Sequence, residues 1–214
     1  MTKNLYILGG LGGDERVFRR LDFSGYSTLF IRWEIPDTNE TIEQYATRLL
    51  KQIPTSKPIL IGLSFGGLIA VEIAKQIETE KVILIASAKT KNEIPFYYRI
   101  AGKLGLHNLL PTLLFMQSNF FKYWLFGTTA AIDKKLLKQI FADTDPRFFK
   151  WAISKVVGWK NQTLHKNCYH IHGTKDRILP CRYVNCNQEL SDGGHLLTLN
   201  NFVELNKILS EQLR

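Results

Sequence analysis

The sequence predicts an α/β protein with a mostly parallel sheet of about six strands and a helical insertion after the fourth. Three observations support this. Short apolar strand-like segments alternate with amphipathic helical ones, a G-x-S-x-G pentapeptide falls where a strand would pass into a helix, and a basic, helix-rich stretch interrupts the alternation between Lys89 and Lys166.

In chain order, Leu5–Leu8 reads as a strand, Asp14–Leu21 as a short helix and Ser27–Ile31 as a second strand. Glu43–Ile53 reads as a helix, Ile59–Ile61 as a strand, Leu68–Gln76 as a helix and Val82–Ile85 as a strand. The strands are continuous apolar runs, as expected of a parallel sheet covered on both faces. The rhythm resumes at Cys168–Ile171 and Asn185–Glu189 and ends in a helix over Val203–Leu213. Helical patterns in the middle include Tyr98–Leu110, Leu113–Phe126 and Ala131–Phe141, with Pro111 as a break. The expected organisation is a core of residues 1–88 and 167–214 with an insertion at 89–166.

The segment Ile59–Gly67, I-L-I-G-L-S-F-G-G, carries the strongest chemical signal. A serine at the apex of a tight strand-to-helix turn tolerates no side chain two residues before or after it, and Gly62 and Gly66 meet that demand. Ser64 is therefore the candidate nucleophile. A plain glycine-lined turn is the competing reading.

Length and charge limit the other possibilities. With 214 residues the chain has enough length for one substantial core. No apolar run is long enough to span a bilayer, and Met1-Thr2-Lys3-Asn4 passes directly into the first strand, so an intracellular, cytoplasmic protein is expected. Cys168, Cys181 and Cys186 form no C-x-x-C pair, and neither a disulfide framework nor a metal site is indicated. The net charge is +9, and residues 89–166 hold 13 Lys and Arg against 4 Asp and Glu, so the whole excess lies in the insertion.

A serine hydroxyl needs a base and a group to orient that base. His195, in the turn-forming Asp192-Gly193-Gly194-His195, is the preferred base. His170 and His172 belong to a strand and are expected to be buried and structural, while His107 and His165 are expected at the surface. Asp176, leaving a strand through His172-Gly173-Thr174-Lys175, is the preferred acid; Asp192 is expected to stabilise its own turn. Oxyanion donors are expected from the Phe65 N–H and from the loop Gly9-Gly10-Leu11-Gly12-Gly13, with Leu11 preferred. That loop fails the G-x-G-x-x-G dinucleotide pattern, and no G-K-[ST] phosphate loop exists.

These residues, in the order Ser64, Asp176, His195, resemble the α/β-hydrolase superfamily over essentially the whole chain. The resemblance implies an α/β-hydrolase-like three-layer sandwich, a Ser-Asp-His triad, a helical cap at 89–166 and no cofactor. It also implies that the chain begins at the family's third strand, without the antiparallel leading strands. Gly9-Gly10 stands where many relatives carry His-Gly, and the short Asp176–His195 connection leaves room for about one helical turn. The expected activity is hydrolysis of a carboxylic ester or thioester through an acyl-enzyme. A ligand-binding or signalling protein with a hydrolase-like site, and a cofactor-free lyase or C–C hydrolase, remain open. The aromatics Phe96, Tyr97, Tyr98, Phe115, Phe120, Phe121, Tyr123, Trp124 and Phe126 are too many for a solvated face, so part of this segment is expected to pack onto the core or line a pocket for an apolar acyl or aromatic group. The basic insertion either keeps that segment solvated or attracts an anionic substrate or an acidic lipid surface; nucleic acid is not expected, since no binding motif accompanies the charge.

Overall fold

The computed structural model describes residues 3–106 and 120–214. Expectations for His107, Pro111 and Phe115, and for parts of the two helices flanking Pro111, lie outside these residues. Among the described residues six strands form one sheet: β1 (Asn4–Leu8), β2 (Ser27–Phe30), β3 (Ile59–Leu63), β4 (Lys81–Ile85), β5 (Cys168–Gly173) and β6 (Gln188–Leu190). Their order is β2-β1-β3-β4-β5-β6 and every pairing is parallel. The chain moves outward from β1 to β2 and returns to the other side of β1 for β3. A crevice therefore opens between the carboxyl ends of β1 and β3, the usual ligand position in such a sheet.

Side-chain alternation along the strands divides the core in two. Tyr6, Leu8, Leu60, Val82 and Leu84 pack on one face with α1 (Ile42–Leu49) and α2 (Phe65–Ala74). Leu5, Ile7, Ile59, Ile61, Ile83 and Ile85 pack on the other, where Leu205 and Leu209 of the terminal helix close the layer. Every residue of α2 is buried, so this helix is apolar all round. Its one acid, Glu72, is satisfied by Lys75 at 2.7 Å and by the Trp159 indole N–H at 2.8 Å. Helix α1 starts at a reciprocal capping box between Thr41 and Gln44.

Between β4 and β5 lie α3 (Phe96–Lys103), α4 (Phe120–Phe126), α5 (Ala131–Asp143) and α6 (Pro146–Val157). The last was not among the helices named from the sequence, although Asp145 caps it and Pro146 occupies its first turn. It buries Phe148, Phe149 and Ala152, and Phe148 stacks on Trp33 with ring centroids 5.5 Å apart. The chain ends with α7 (Leu197–Asn200) and α8 (Phe202–Gln212).

Several expectations need correction. Asp14–Leu21 is a single 3₁₀ turn over Glu15–Phe18, capped by Asp14. The helix after Ser64 begins at once, at Phe65. The sixth strand begins at Gln188, because Asn187 is engaged beside β5: its N–H donates to the His170 carbonyl and its side-chain oxygen accepts from the His170 N–H. Of the exposed aromatics, Phe120 (82% exposed) and Trp124 (47%) line a cleft together with Tyr123, as expected, whereas Phe121, Phe96 and Tyr97 are 62%, 54% and 39% exposed and do not line it. No described helix is long and apolar enough to cross a membrane.

Candidate active site

Ser64 stands between β3 and α2 with φ 53° and ψ −119°, a conformation that disfavours any residue with a Cβ. Three contacts hold it there. Its N–H donates to the Ile85 carbonyl at 2.9 Å, and its own carbonyl accepts from the Gly67 N–H at 2.9 Å and the Ser87 hydroxyl at 2.7 Å. A Cβ on Gly62 would overlap the Gly66–Gly67 backbone, and one on Gly66 would strike the Leu8 and Gly9 carbonyls. Both glycines thus permit the close approach of β1, β3 and α2.

The carboxyl ends of β5 and β6 deliver the other two groups. Ser64 Oγ lies 2.8 Å from His195 Nε2, and His195 Nδ1 lies 2.7 Å from Asp176 Oδ2. The second carboxylate oxygen of Asp176 accepts the Ile178 and Leu179 N–H groups at 2.8 and 2.9 Å. Burial alone would raise the Asp176 pKa, yet His195, His172 and the Leu179 N–H together hold it below the ordinary aspartate value. Asp176 and His195 are buried and Ser64 is half-buried. The structure therefore brings the three preferred residues into one hydrogen-bonded row. Asp192 is not in it: its side chain is exposed, pairs with Lys175 at 2.7 Å, and its N–H donates to Thr174 Oγ1. The Asp176–His195 connection contains one 3₁₀ turn, Cys181–Tyr183.

The glycine-rich loop after β1 faces Ser64. A Cβ on Gly10 would lie 3.6 Å from the Ser64 Cβ, so Gly10 borders the serine. Phe65 occupies the first position of α2, where backbone N–H groups lack intrahelical partners and carry the positive end of the helix dipole. Gly9 lies against Gly66, and Gly12, with φ 72°, abuts the buried Thr144 at the α5–α6 junction.

Four residues make contacts with this site that the sequence did not assign to them. Trp33 donates its indole N–H to the Gly10 and Gly13 carbonyls at 3.2 and 3.1 Å and packs 5.6 Å from the Phe65 ring. Its place just beyond β2, at the carboxyl edge, was the available signal. Phe126 of α4 meets the His195 ring edge-on at 5.7 Å. Ser87 supports the Ser64 carbonyl. His172, buried as expected, also has its Nε2 3.5 Å from Asp176 Oδ2 and donates to the Leu179 carbonyl at 2.8 Å. Burial lowers its pKa, against the opposing pull of the Asp176 carboxylate and the Leu179 carbonyl. His170 is buried 3.3 Å from His172, whereas His165 is only half-buried and lies 3.4 Å from Thr79 Oγ1.

A cleft of about 630 Å³ opens beside Gly194. Its wall carries Arg20, Lys134, Lys175 and Arg177 against the carboxylates of Asp133 and Asp192.

This architecture has counterparts among solved structures. The chain is similar to a bromoperoxidase from Bacillus anthracis, with TM-score 0.69 and 16% identity over 100% of this chain and 92% of the other. It is similar to a thermophilic esterase from Thermogutta terrifontis, with TM-score 0.69 and 15% identity over 100% and 90% of the two chains. An esterase from Exiguobacterium antarcticum gives TM-score 0.67 and 15% identity over 99% and 92%. No family model and no curated protein matches the sequence. Identity at this level speaks for the fold, and the fold is that of the α/β-hydrolases.

Proposed function

We propose that the chain is a serine hydrolase acting on a carboxylic ester or thioester through an acyl-enzyme. The supporting observation is the row Ser64–His195–Asp176, with hydrogen-bond lengths of 2.8 and 2.7 Å. In this reading Ser64 attacks the carbonyl carbon while His195 Nε2 takes the hydroxyl proton. Asp176 accepts the Nδ1–H, fixes the tautomer that leaves Nε2 free as a base, and stabilises the imidazolium. The Phe65 and Leu11 N–H groups bind the developing oxyanion, and His195 returns its proton to the leaving group. Water, deprotonated by the same histidine, then releases the acid. The left-handed backbone of Ser64 supports the assignment, because strain of this kind collects where a side chain must project into a site.

Residues 89–166 act as a cap in this proposal. Two contacts support it: Phe126 against His195 and Thr144 against the Gly12 turn. The cap supplies apolar surface for an acyl or aromatic group, and its positive charge favours an anionic substrate.

The deciding experiment is labelling by a fluorophosphonate probe followed by peptide mapping. Modification of Ser64, and loss of labelling and turnover in Ser64→Ala by about a millionfold in rate, is the expected result. Labelling at a different serine would overturn the assignment. Labelling without turnover of a broad acyl-ester panel would favour a binding or signalling role.

A further inference from the structure

Cys181 and Cys186 are separated by four residues, a spacing that suggests no metal site in the sequence. The fold alters that. Cys181 ends up in the 3₁₀ turn and Cys186 in the approach to β6, and the chain doubles back so that both sulfurs and a carboxylate oxygen of Glu189 lie within 4.8 Å of one another. Cys181 Sγ is 3.5 Å from Glu189 Oε1. Tetrahedral zinc, with Zn–S of about 2.3 Å and Zn–O of about 2.1 Å, holds neighbouring sulfur and oxygen ligands about 3.6 Å apart. The cysteine–glutamate spacing already matches that separation, so an ion needs little rearrangement of this pair.

We propose that Cys181, Cys186 and Glu189 form a thiophilic metal site that takes one Zn²⁺, with water completing the tetrahedron. The ligand types argue for zinc over calcium or magnesium, since thiolate sulfur favours soft or borderline ions and hard cations require oxygen. Each thiol releases its proton to water as its Zn–S bond forms, and Glu189 contributes a side-chain oxygen; no electrons move. Both cysteines are half-buried free thiols and Glu189 is exposed, so an ion can enter from solvent and the water position stays open. The bound ion would join the 3₁₀ turn to β6 and brace the segment that runs from Asp176 to His195. It takes no part in the proposed hydrolysis.

The test uses the full chain, reduced and freed of metal, titrated with Cd²⁺ as a spectroscopic substitute for zinc and dialysed against Zn²⁺. One ion per chain is expected, with an ultraviolet thiolate-to-cadmium charge-transfer band and release of two protons. Cys181→Ser and Cys186→Ser should each abolish the band. Glu189→Gln should weaken affinity by at least about tenfold, since losing a coordinating carboxylate costs no less than losing a group that only supports a ligand. Cys168→Ser should bind as the parent does, and circular dichroism of each variant checks that it is folded. A reduced parent chain that binds no Cd²⁺, or a band that survives in both Cys181→Ser and Cys186→Ser, would overturn the proposal.

Discussion

The Trp33 indole donates to the Gly10 carbonyl at 3.2 Å, tying the loop after β1 to the aromatic cluster on the neighbouring face of the sheet. Glycine-rich backbone is intrinsically loose, and an oxyanion donor works only if it is already aimed when charge develops. Trp33→Phe keeps much of the ring packing but removes the donor to Gly10 and Gly13. It should lower kcat by about tenfold, corresponding to roughly 1.4 kcal/mol, with a smaller change in KM. Steady-state kinetics on a turned-over ester checks this, and a rise in KM at unchanged kcat would mean that the indole shapes substrate binding instead.

Asp176→Asn should lower turnover by about four orders of magnitude while leaving the fold intact, because an amide stabilises the wrong imidazole tautomer. Asp192→Asn removes only the exposed pair with Lys175 and should alter turnover by less than about twofold. Comparing the two variants separates the acids directly; a larger loss in Asp192→Asn would reject Asp176 as the orienting group.

Burial holds the pKa of His170 well below its ordinary value and lowers that of His172. The unfolded chain therefore binds more protons than the folded one once pH drops below about 6.5. Stability from keeping these rings neutral is fully present above that pH and is lost as pH falls toward the folded-state pKa values. Each added proton steepens the loss by about 1.4 kcal/mol per pH unit. Urea midpoints measured from pH 7 to pH 5 should decline for the parent and decline less steeply for His170→Gln. Equal slopes would exclude His170 as a contributor.

The cations around the cleft beside Gly194 predict salt-sensitive capture of negatively charged substrates. For an anionic ester, kcat/KM should fall markedly between low ionic strength and 0.5 M salt, whereas a neutral isostere should change little. Matching responses would assign these four cations to solvation alone.

Much of the fold was legible because the strands are continuous apolar runs with clear breaks. Ser64, Asp176 and His195 were legible because glycines mark the turns that carry them. Trp33, the approach of His172 to Asp176 and the Cys181–Cys186–Glu189 cluster were not, since each depends on where separate turns meet in space. Helix α6 is intermediate: Asp145-Pro146 announces its start, but its Phe148-Phe149 pair faces two different neighbours and blurs the periodicity.

Ser64 and Ala86 both have positive φ, at 53° and 47°, immediately beyond the adjacent central strands β3 and β4. Neither residue is suited to that backbone, and glycine would relieve the strain at either place by about 1–3 kcal/mol. Selection for foldability alone would therefore be expected to drift both positions toward glycine. At Ser64 that drift would remove the proposed nucleophile, so thermostability screens that ignore turnover should enrich Ser64→Gly and yield hardier, inactive proteins.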